Sequence, residues 1–398
     1  MKKLLIISMV VLLLSSCMGS SSTPQKNTDS QPNDSELNPI LDPGSKTGTK
    51  PDNGSINSRA YIAAWLAPYQ ENRGFESFSK NSNLFNEINP MWYNLNPRYF
   101  QEPGTPFTLK AKNRGEVTYM AQTNGVKLVP SIQNFGTYNF DTTVIRKIIN
   151  DPALRTRHVN EITTLVLNEG YDGIDIDYEN LSFADRDAFT AFIAELGAAL
   201  KKHQKLLSVA VYAKTSDAAT WNGPGAQDWR KLAPHVNTLK IMVYDYHWLN
   251  YHPGPIAPID WLRDVLSYAA TIKEVHNKII VGLPLYGLDW GGGMSAKEVM
   301  YQDVLTIQSQ NGYRNLSRND VDHSTDPICS PYQKNVELHF EYQSGGVIRT
   351  VYYQDSVSIK ERLKVIKEFK AIVKGITFWR LGGEDPATWE EVESFKRD

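Results

Sequence analysis

Eight short apolar or alternating runs, most of them separated by stretches of helical periodicity, limit the folds open to this 398-residue chain. Strands that alternate with helices predict parallel pairing through helical crossovers. Eight such units from residue 60 onward favour an α/β protein of the (β/α)8 TIM-barrel type over an open doubly wound sheet. No glycine-rich dinucleotide fingerprint follows the first run, which weakens the open-sheet alternative further. The runs are Tyr61–Leu66, Ile88–Asn94, Val126–Ile132, Gly173–Tyr178, Leu206–Tyr212, Leu239–Tyr244, Lys278–Leu285 and Gly375–Trp379.

One connection, between the seventh and eighth runs, is too long for an ordinary barrel loop. Within it Val336–Tyr342 and Val347–Tyr353 flank a glycine-containing turn, a pattern typical of a β-hairpin. Residues 287–357 are therefore predicted to form a small α+β insertion beside the barrel mouth. The barrel with its insertion is assigned to residues 60–398.

The first 59 residues follow a different pattern. Two lysines and the short apolar run from Leu4 to Leu14 predict a secretory signal over residues 1–16. The ending Leu-Ser-Ser-Cys17 resembles a bacterial lipobox, in which the cysteine is diacylated; a plain cleaved signal and an uncleaved anchor helix are the alternatives. Residues 17–59 are dominated by Ser, Thr, Asn, Pro, Gly and Asp, which predicts a flexible tether. We therefore expect an extracytoplasmic lipoprotein of the cell envelope, attached to a membrane through Cys17.

The composition argues against several classes of function. With 42 Lys+Arg against 44 Asp+Glu, the formal charge of −2 leaves no basic excess to hold a nucleic acid. Two cysteines, Cys17 and Cys329, cannot build a disulfide scaffold. The histidines show no spacing typical of metal ligands. We expect neither a metal nor a cofactor, and a monomeric chain.

The segment most informative about function contains the fourth run and reads Tyr-Asp-Gly-Ile-Asp-Ile-Asp-Tyr-Glu-Asn over residues 171–180. Side chains alternate along a strand, so Asp175, Asp177 and Glu179 share one face. The isoleucines between them can pack against helices, so the acids point into the barrel at its carboxyl end. That end is where the active sites of barrel enzymes lie. Carboxyl groups this close cannot all be ionised, so at least one retains a proton, as a general acid requires.

A calcium site or a solvated strand face would account less well for this acidic strand. Calcium loops place polar or glycine residues between their ligands, whereas isoleucine separates the acids here. A solvated strand face with three acids and no partner lysine would be repulsive. Catalysis is the favoured hypothesis.

The sequence D-G-x-D-x-D-x-E at residues 172–179 matches the signature of glycoside hydrolase family 18, the chitinase-like (β/α)8 hydrolases. Met242-Val243-Tyr244-Asp245 resembles the motif on the sixth strand of that family, and Trp379 resembles the tryptophan on its eighth. The resemblance implies a retaining hydrolase in which the N-acetyl group of the substrate is the nucleophile. Glu179 would be the general acid and then the base, and Asp177 would orient the acetamido group.

The same resemblance implies roles for four further residues. Asp175 would share a proton with Asp177, and Tyr244 would donate its hydroxyl to the acetamido oxygen. Asp245 would help to bind the distorted −1 sugar, and Trp379 would offer that sugar a flat apolar face. Trp290, at the end of the seventh-strand segment, is a weaker candidate for stacking on a sugar.

The third predicted strand departs from the Ser-x-Gly-Gly turn frequent in the family, because Val129–Gly136 ends in Gln-Asn-Phe-Gly. With Tyr246, Trp248 and the segment Gly282–Trp290, this variant resembles the branch that contains spore-cortex-lytic enzymes, which cleave peptidoglycan beside N-acetylglucosamine. The expected activity is cleavage of β-1,4 linkages next to N-acetylglucosamine in peptidoglycan or chitin-type glycans. The alternative is a catalytically inactive, carbohydrate-binding lipoprotein on the same fold, and the presence of Glu179 favours the enzyme.

Overall fold

A computed structural model describes residues 60–68, 71–100, 107–108, 113–136, 139–217, 221–292, 295–318, 332 and 336–397. The described strands are β1 Tyr61–Leu66, β2 Glu87–Pro90, β3 Tyr93–Asn94, β4 Phe107–Thr108, β5 Lys127–Leu128, β6 Ser131–Gln133, β7 Gly173–Asp177, β8 Leu206–Tyr212, β9 Thr238–Met242, β10 Ile279–Pro284, β11 Gly287–Gly291, β12 Ala296–Val299, β13 Arg314–Ser317, β14 Leu338–Ser344, β15 Val347–Tyr353 and β16 Val373–Trp379. The described helices are α1 Glu71–Asn81, α2 Arg114–Asn124, α3 Thr143–Asn150, α4 Pro152–Asn168, α5 Arg186–Lys202, α6 Trp229–Leu232, α7 Ile259–Ala270, α8 Tyr301–Asn311, α9 Ser356–Glu368 and α10 Thr388–Arg397.

Parallel strands form the predicted TIM barrel. β1 is followed around the barrel by the split strands β2/β3 and β5/β6, and then by β7, β8, β9, β10 and β16. β16 pairs in parallel with β1, where Gly375 lies opposite Tyr61, and this pairing joins the last strand to the first. The fold class predicted from the alternation of strands and helices is confirmed.

Two of the predicted strands are interrupted by proline-containing steps. The run Ile88–Asn94 forms β2 and β3, and the run Val126–Ile132 forms β5 and β6. Pro90 and Pro130 lie at these steps and have no backbone N–H to donate to a sheet ladder. β2 pairs with β5, β3 pairs with β6, and Asp175 N donates to Pro130 O at 2.9 Å. The interruptions therefore leave the order of the barrel intact.

The helical stretch Val144–Glu169 forms two helices, α3 and α4, instead of one. Pro152 begins α4, and the residue before a proline is disfavoured in the α conformation. Asp151 occupies that position and caps α4, because its side chain accepts from the backbone N–H groups of Ala153 and Leu154 at 2.8 and 3.0 Å. The Asp-Pro pair thus divides the stretch.

The connection between β10 and β16 contains the predicted α+β insertion. An antiparallel sheet in the order β12-β11-β15-β14-β13 accompanies α8. The predicted hairpin is formed by β14 and β15, with Ser344 opposite Val347 across the turn at Gly345 and Gly346. Both glycines have positive φ, a conformation that other residues adopt only under strain.

A buried carboxylate links this insertion to the barrel. Glu337, just before β14, accepts hydrogen bonds from Ile256 N and Ala257 N, each at 2.8 Å. It also forms a buried ion pair with Arg362 of α9. The insertion is therefore attached to the segment after β9 and to the helix before β16.

None of the helices in the described part of the chain is long and apolar enough to cross a membrane. The predicted signal, the predicted tether and Cys17, the predicted site of lipidation, lie outside the described residues, as does Cys329.

Candidate active site

The acids of β7 lie inside the barrel, as their alternation predicts. Asp175 is 0% exposed and Asp177 is 6% exposed, while Glu179, just beyond the strand, is partly exposed. On the opposite face Ile174 and Ile176 are fully buried in the apolar core around the barrel. β7 therefore presents a row of carboxyl groups that leads to the carboxyl end of the barrel.

Asp175 accepts hydrogen bonds from four donors on four different strands. Trp65 Nε1 and Ser131 Oγ donate to Oδ2 at 2.9 and 2.8 Å. Ser208 Oγ and Lys240 Nζ donate to Oδ1, the lysine at 3.0 Å. Burial by itself raises the pKa of Asp175, but the Lys240 charge and these hydrogen bonds hold the pKa below its usual value. Asp175 is therefore an ionised carboxylate.

The expectation that Asp175 shares a proton with Asp177 finds no support in the hydrogen bonds of Asp175. Donors engage both oxygens of Asp175, whereas Asp177 forms its hydrogen bond with Glu179. Lys240 supplies the positive charge that a shared proton would have supplied. The hydrogen bond between Asp177 and Glu179 is therefore the contact of this strand that can hold a shared proton.

Both members of that pair have raised pKa values. Burial and then the charges of Glu179 and Asp175 raise the pKa of Asp177 well above its usual value. Burial raises the pKa of Glu179 to about 7, with a further contribution from the Asp245 charge, while hydrogen bonds from Tyr212 and Asp177 lower it. Both pKa shifts are in the direction expected if the acidic strand retains a proton near neutral pH.

Asn134 fixes the backbone at Glu179. Glu179 N donates to Asn134 Oδ1 at 2.9 Å, and Asn134 Nδ2 donates to Glu179 O at 3.1 Å. Asn134 is buried directly after β6, in the segment that departs from the family pattern. A side-chain amide thus holds the residue that carries the candidate acid.

Tyr244 and Asp245 follow β9 at the same end of the barrel. Tyr244 is buried and stands edge-on to Tyr286, with ring centroids 6.4 Å apart. The Tyr286 hydroxyl donates a hydrogen bond to Asp245 Oδ1. Burial raises the pKa of Asp245 to about 6, and the Glu298 charge adds to the rise, while the hydrogen bond from Tyr286 opposes it. Asp245 is thus a second carboxyl group that can hold a proton close to neutral pH.

The two predicted tryptophans differ in their surroundings. Trp379, at the end of β16, is half-buried and meets Trp65 edge-on, with ring centroids 6.1 Å apart. Trp290 in β11 is 1% exposed and packs edge-on against Tyr352. Trp379 keeps accessible surface for a sugar, whereas Trp290 is a core residue, so its predicted stacking role is not supported by its position.

Asp172, the first acid of the D-G-x-D-x-D-x-E segment, accepts a hydrogen bond from Leu128 N at 2.8 Å. Sequence reasoning missed Lys240, Asn134 and Tyr212. The sequence did contain a pattern that could have identified Lys240, because alternation along the sixth run puts it on the same face of the strand as Tyr244. No sequence pattern indicated Asn134 or Tyr212, because contacts between the ends of different strands cannot be inferred from spacing within one strand.

Comparisons with known proteins agree with this geometry. The family model "Glycosyl hydrolases family 18" matches residues 62–384. YdhD of Bacillus subtilis, a candidate sporulation-specific glycosylase, is 33% identical over 272 residues, which cover 65% of this chain and 59% of that protein. The cortical fragment-lytic enzyme of the same organism is 27% identical over 300 residues, which cover 69% of this chain and 65% of the enzyme. The chain thus spans less than two thirds of the length of either relative.

Solved structures share the fold. The spore cortex-lytic enzyme SleL of Bacillus megaterium aligns with a TM-score of 0.71 and 24% identity over 85% of this chain and 75% of that one. A chitinase from Chromobacterium violaceum aligns with a TM-score of 0.73 and 22% identity over 84% of this chain and 98% of that one.

Proposed function

The chain belongs to glycosyl hydrolase family 18, and we propose that it is a retaining, substrate-assisted glycoside hydrolase that cleaves β-1,4 linkages beside N-acetylglucosamine. The observation that carries the proposal is the hydrogen-bonded pair Asp177 and Glu179, whose pKa values are raised, close to Tyr244 and at the end of the barrel where Trp379 closes β16. A glycosidase needs a carboxyl group that is protonated near neutral pH and lies within reach of the glycosidic oxygen.

The proposed mechanism assigns one role to each side chain. Glu179 protonates the leaving oxygen and then, as a carboxylate, activates water. Asp177 Oδ1 is buried and has no hydrogen-bond partner among the described residues, so it can accept from the acetamido N–H of a sugar. Tyr244 donates its hydroxyl to the acetamido oxygen, which attacks the anomeric carbon, and Trp379 supports the sugar ring.

Removal of the acid tests the catalytic proposal. The purified protein and the Glu179→Gln variant are incubated with chitotetraose and with purified sacculi, and reducing ends are counted. The variant should lose activity by about 10²- to 10⁴-fold. Asp172→Asn changes an acid of the same segment that accepts from the backbone N–H of Leu128, so it is the matched control and should retain activity. Sugar binding by wild type without any product would support the non-catalytic alternative.

Substrate assistance has its own test. A substrate whose −1 sugar carries a free amine has no carbonyl oxygen to attack the anomeric carbon. It should therefore be cleaved far more slowly than its acetylated counterpart. Equal rates on the two substrates would show that the nucleophile is not the acetamido group.

We also propose peptidoglycan as the glycan and the membrane as the location of the protein. The similarity to cortex-lytic proteins supports the first proposal. The Leu-Ser-Ser-Cys17 sequence supports the second, with lipid on Cys17. Faster product release from sacculi than from chitotetraose should confirm the substrate. Loss of radioactive palmitate incorporation in Cys17→Ser should confirm the anchor, whereas unchanged incorporation would contradict it.

A further inference from the structure

A buried lysine lies beneath the acidic strand and has no role in the proposed reaction. Lys240 in β9 is 0% exposed. Its Nζ atom lies 3.0 Å from Asp175 Oδ1 and 2.8 Å from Glu87 Oε1, and it sits 5.4 Å from the centroid of the Trp65 ring. A buried ammonium group is stable only where opposite charges compensate its loss of water, so its position depends on these two carboxylates.

The contacts of Asp175 leave no oxygen available for a proton. Its two oxygens accept from four donors, of which Lys240 is the only charged one. An acid that shares a proton with Asp177 would have to release one of these donors. The lysine therefore determines where the proton of the acidic strand can be.

Glu87 holds the lysine from the other side. Its Oε2 accepts from the Tyr61 hydroxyl and its Oε1 from Asn89 Nδ2, both at 2.9 Å. Glu87 in β2, Lys240 in β9 and Asp175 in β7 thus form a buried chain of alternating charge. Among the described residues, Asp177 and the Tyr244 hydroxyl also interact with this chain of charges at Asp175, and the Tyr61 hydroxyl and Lys374 interact with it at Glu87.

We propose that Lys240 is a positioning residue that keeps Asp175 ionised throughout the reaction and so confines the proton of the acidic strand to Asp177 and Glu179. Glu87 sets how much of the Lys240 charge acts on the acids. This inference rests on the proposed function and adds to it a residue that sets the pH range of activity.

The proposal predicts opposite effects for two substitutions. Lys240→Met removes a positive charge, so the acids hold their protons more tightly and both limbs of the pH–rate profile move to higher pH. Glu87→Gln removes the negative charge on the far side of Lys240, so both limbs move to lower pH. Charges at this spacing in a protein interior correspond to shifts of about one pH unit. Removal of a purely structural contact would lower the rate without moving the limbs.

Lys214 provides a matched control. It too is buried, pairs with an acid, Asp217, at 2.8 Å, and lies 5.4 Å from a tryptophan ring, that of Trp229. Its ammonium group donates to Asp217 and to the backbone oxygen of Gln227, and neither partner belongs to the acidic strand. Lys214→Met should therefore leave both limbs in place even if it lowers stability.

A second measurement needs no substrate and separates this inference from the proposed function. The melting temperatures of wild type and Lys240→Met are compared between pH 4 and pH 7. Without the lysine, Asp175 is a buried carboxylate with no cation, so the variant should lose more stability at pH 7 than at pH 4. Addition of Asp175→Asn to Lys240→Met should restore part of the loss at pH 7.

The pH profiles and the melting temperatures together decide the proposal. The proposal is supported if the limbs move to higher pH in Lys240→Met and to lower pH in Glu87→Gln, and if the stability loss of Lys240→Met grows with pH. Limbs that do not move, or a stability loss equal at both pH values, overturn it. If the wild-type protein had no glycosidase activity, the proposed function would be overturned. The melting temperatures would still decide whether Lys240 keeps Asp175 ionised.

Discussion

At the scale of single residues, the position of the candidate acid depends on an amide. Asn134 makes two hydrogen bonds to the backbone of Glu179. Asn134→Ala should lower kcat by about tenfold or more with little change in KM, because small displacements of a catalytic group are costly. Initial rates on the best substrate measure the effect. Asn124→Ala is the control, since that amide bonds within the exposed end of α2. A kcat within twofold of wild type for Asn134→Ala would contradict the prediction.

A second residue tunes the proton affinity of the acid. The Tyr212 hydroxyl lies 3.1 Å from Asn180 Oδ1, beside the candidate acid, and its hydrogen-bonding interaction with Glu179 lowers the pKa of Glu179. Tyr212→Phe removes this interaction with the carboxylate, so the pKa of Glu179 should rise above about 7. Activity that needs protonated Glu179 is lost as pH rises through this pKa, so the alkaline limb should move to higher pH by roughly half a unit to one unit. An alkaline limb that moves to lower pH would refute the assignment of this limb to Glu179.

At the scale of elements, two helical glycines differ in what surrounds them. A Cβ atom on Gly197 of α5 would lie 2.2 Å from the backbone oxygen of His235, whereas nothing lies within 4 Å of one on Gly115 of α2. Gly197→Ala should therefore destabilise the fold by about 1–3 kcal/mol through overpacking. Gly115→Ala should stabilise it by about 0.5–1 kcal/mol, because alanine favours a helix. Urea denaturation measures both, and equal effects of the two substitutions would contradict the packing of α5.

The order of the elements was predictable from the sequence, and their details were less so. β1 and β8 have the predicted bounds because apolar runs and loop signals coincide there. The split of the second and third strands follows from Pro90 and Pro130, which the apolar pattern concealed. The acids of β7 were predictable because alternation along one strand is a local property. Lys240 was missed as their partner because the pairing joins residues 65 positions apart.

At the scale of the whole molecule, the carboxyl groups of the candidate site destabilise the folded state. The pKa values of Asp177, Glu179, Asp245 and Glu298 are all raised, with burial as the first cause in each case. A carboxyl group with a raised pKa is harder to ionise in the folded chain than in the unfolded one. The folded state therefore becomes less stable as these groups ionise. Interactions elsewhere in the barrel must offset this destabilisation.

Glu179→Gln should consequently make the protein more stable as well as inactive. The pKa of Glu179 is about 7 in the fold against 4.5 for the reference group. Between these values the unfolded chain releases a proton that the folded chain keeps, so the carboxyl group destabilises the fold increasingly as pH rises through this window. Glutamine has no such proton, and its advantage should be small below pH 4.5 and reach on the order of 1–3 kcal/mol above pH 7.

Thermal unfolding of wild type and Glu179→Gln at pH 4.5, 6 and 8 measures this difference. Glu390→Gln, which changes an exposed carboxylate in the first turn of α10, provides the baseline. An increase in thermal stability over wild type that grows with pH for Glu179→Gln, but not for Glu390→Gln, would show that the Glu179 carboxyl group itself destabilises the fold. A gain that is the same at all three pH values would mean that Glu179 is not held protonated by the fold, and the assignment of the general acid would then fail with it.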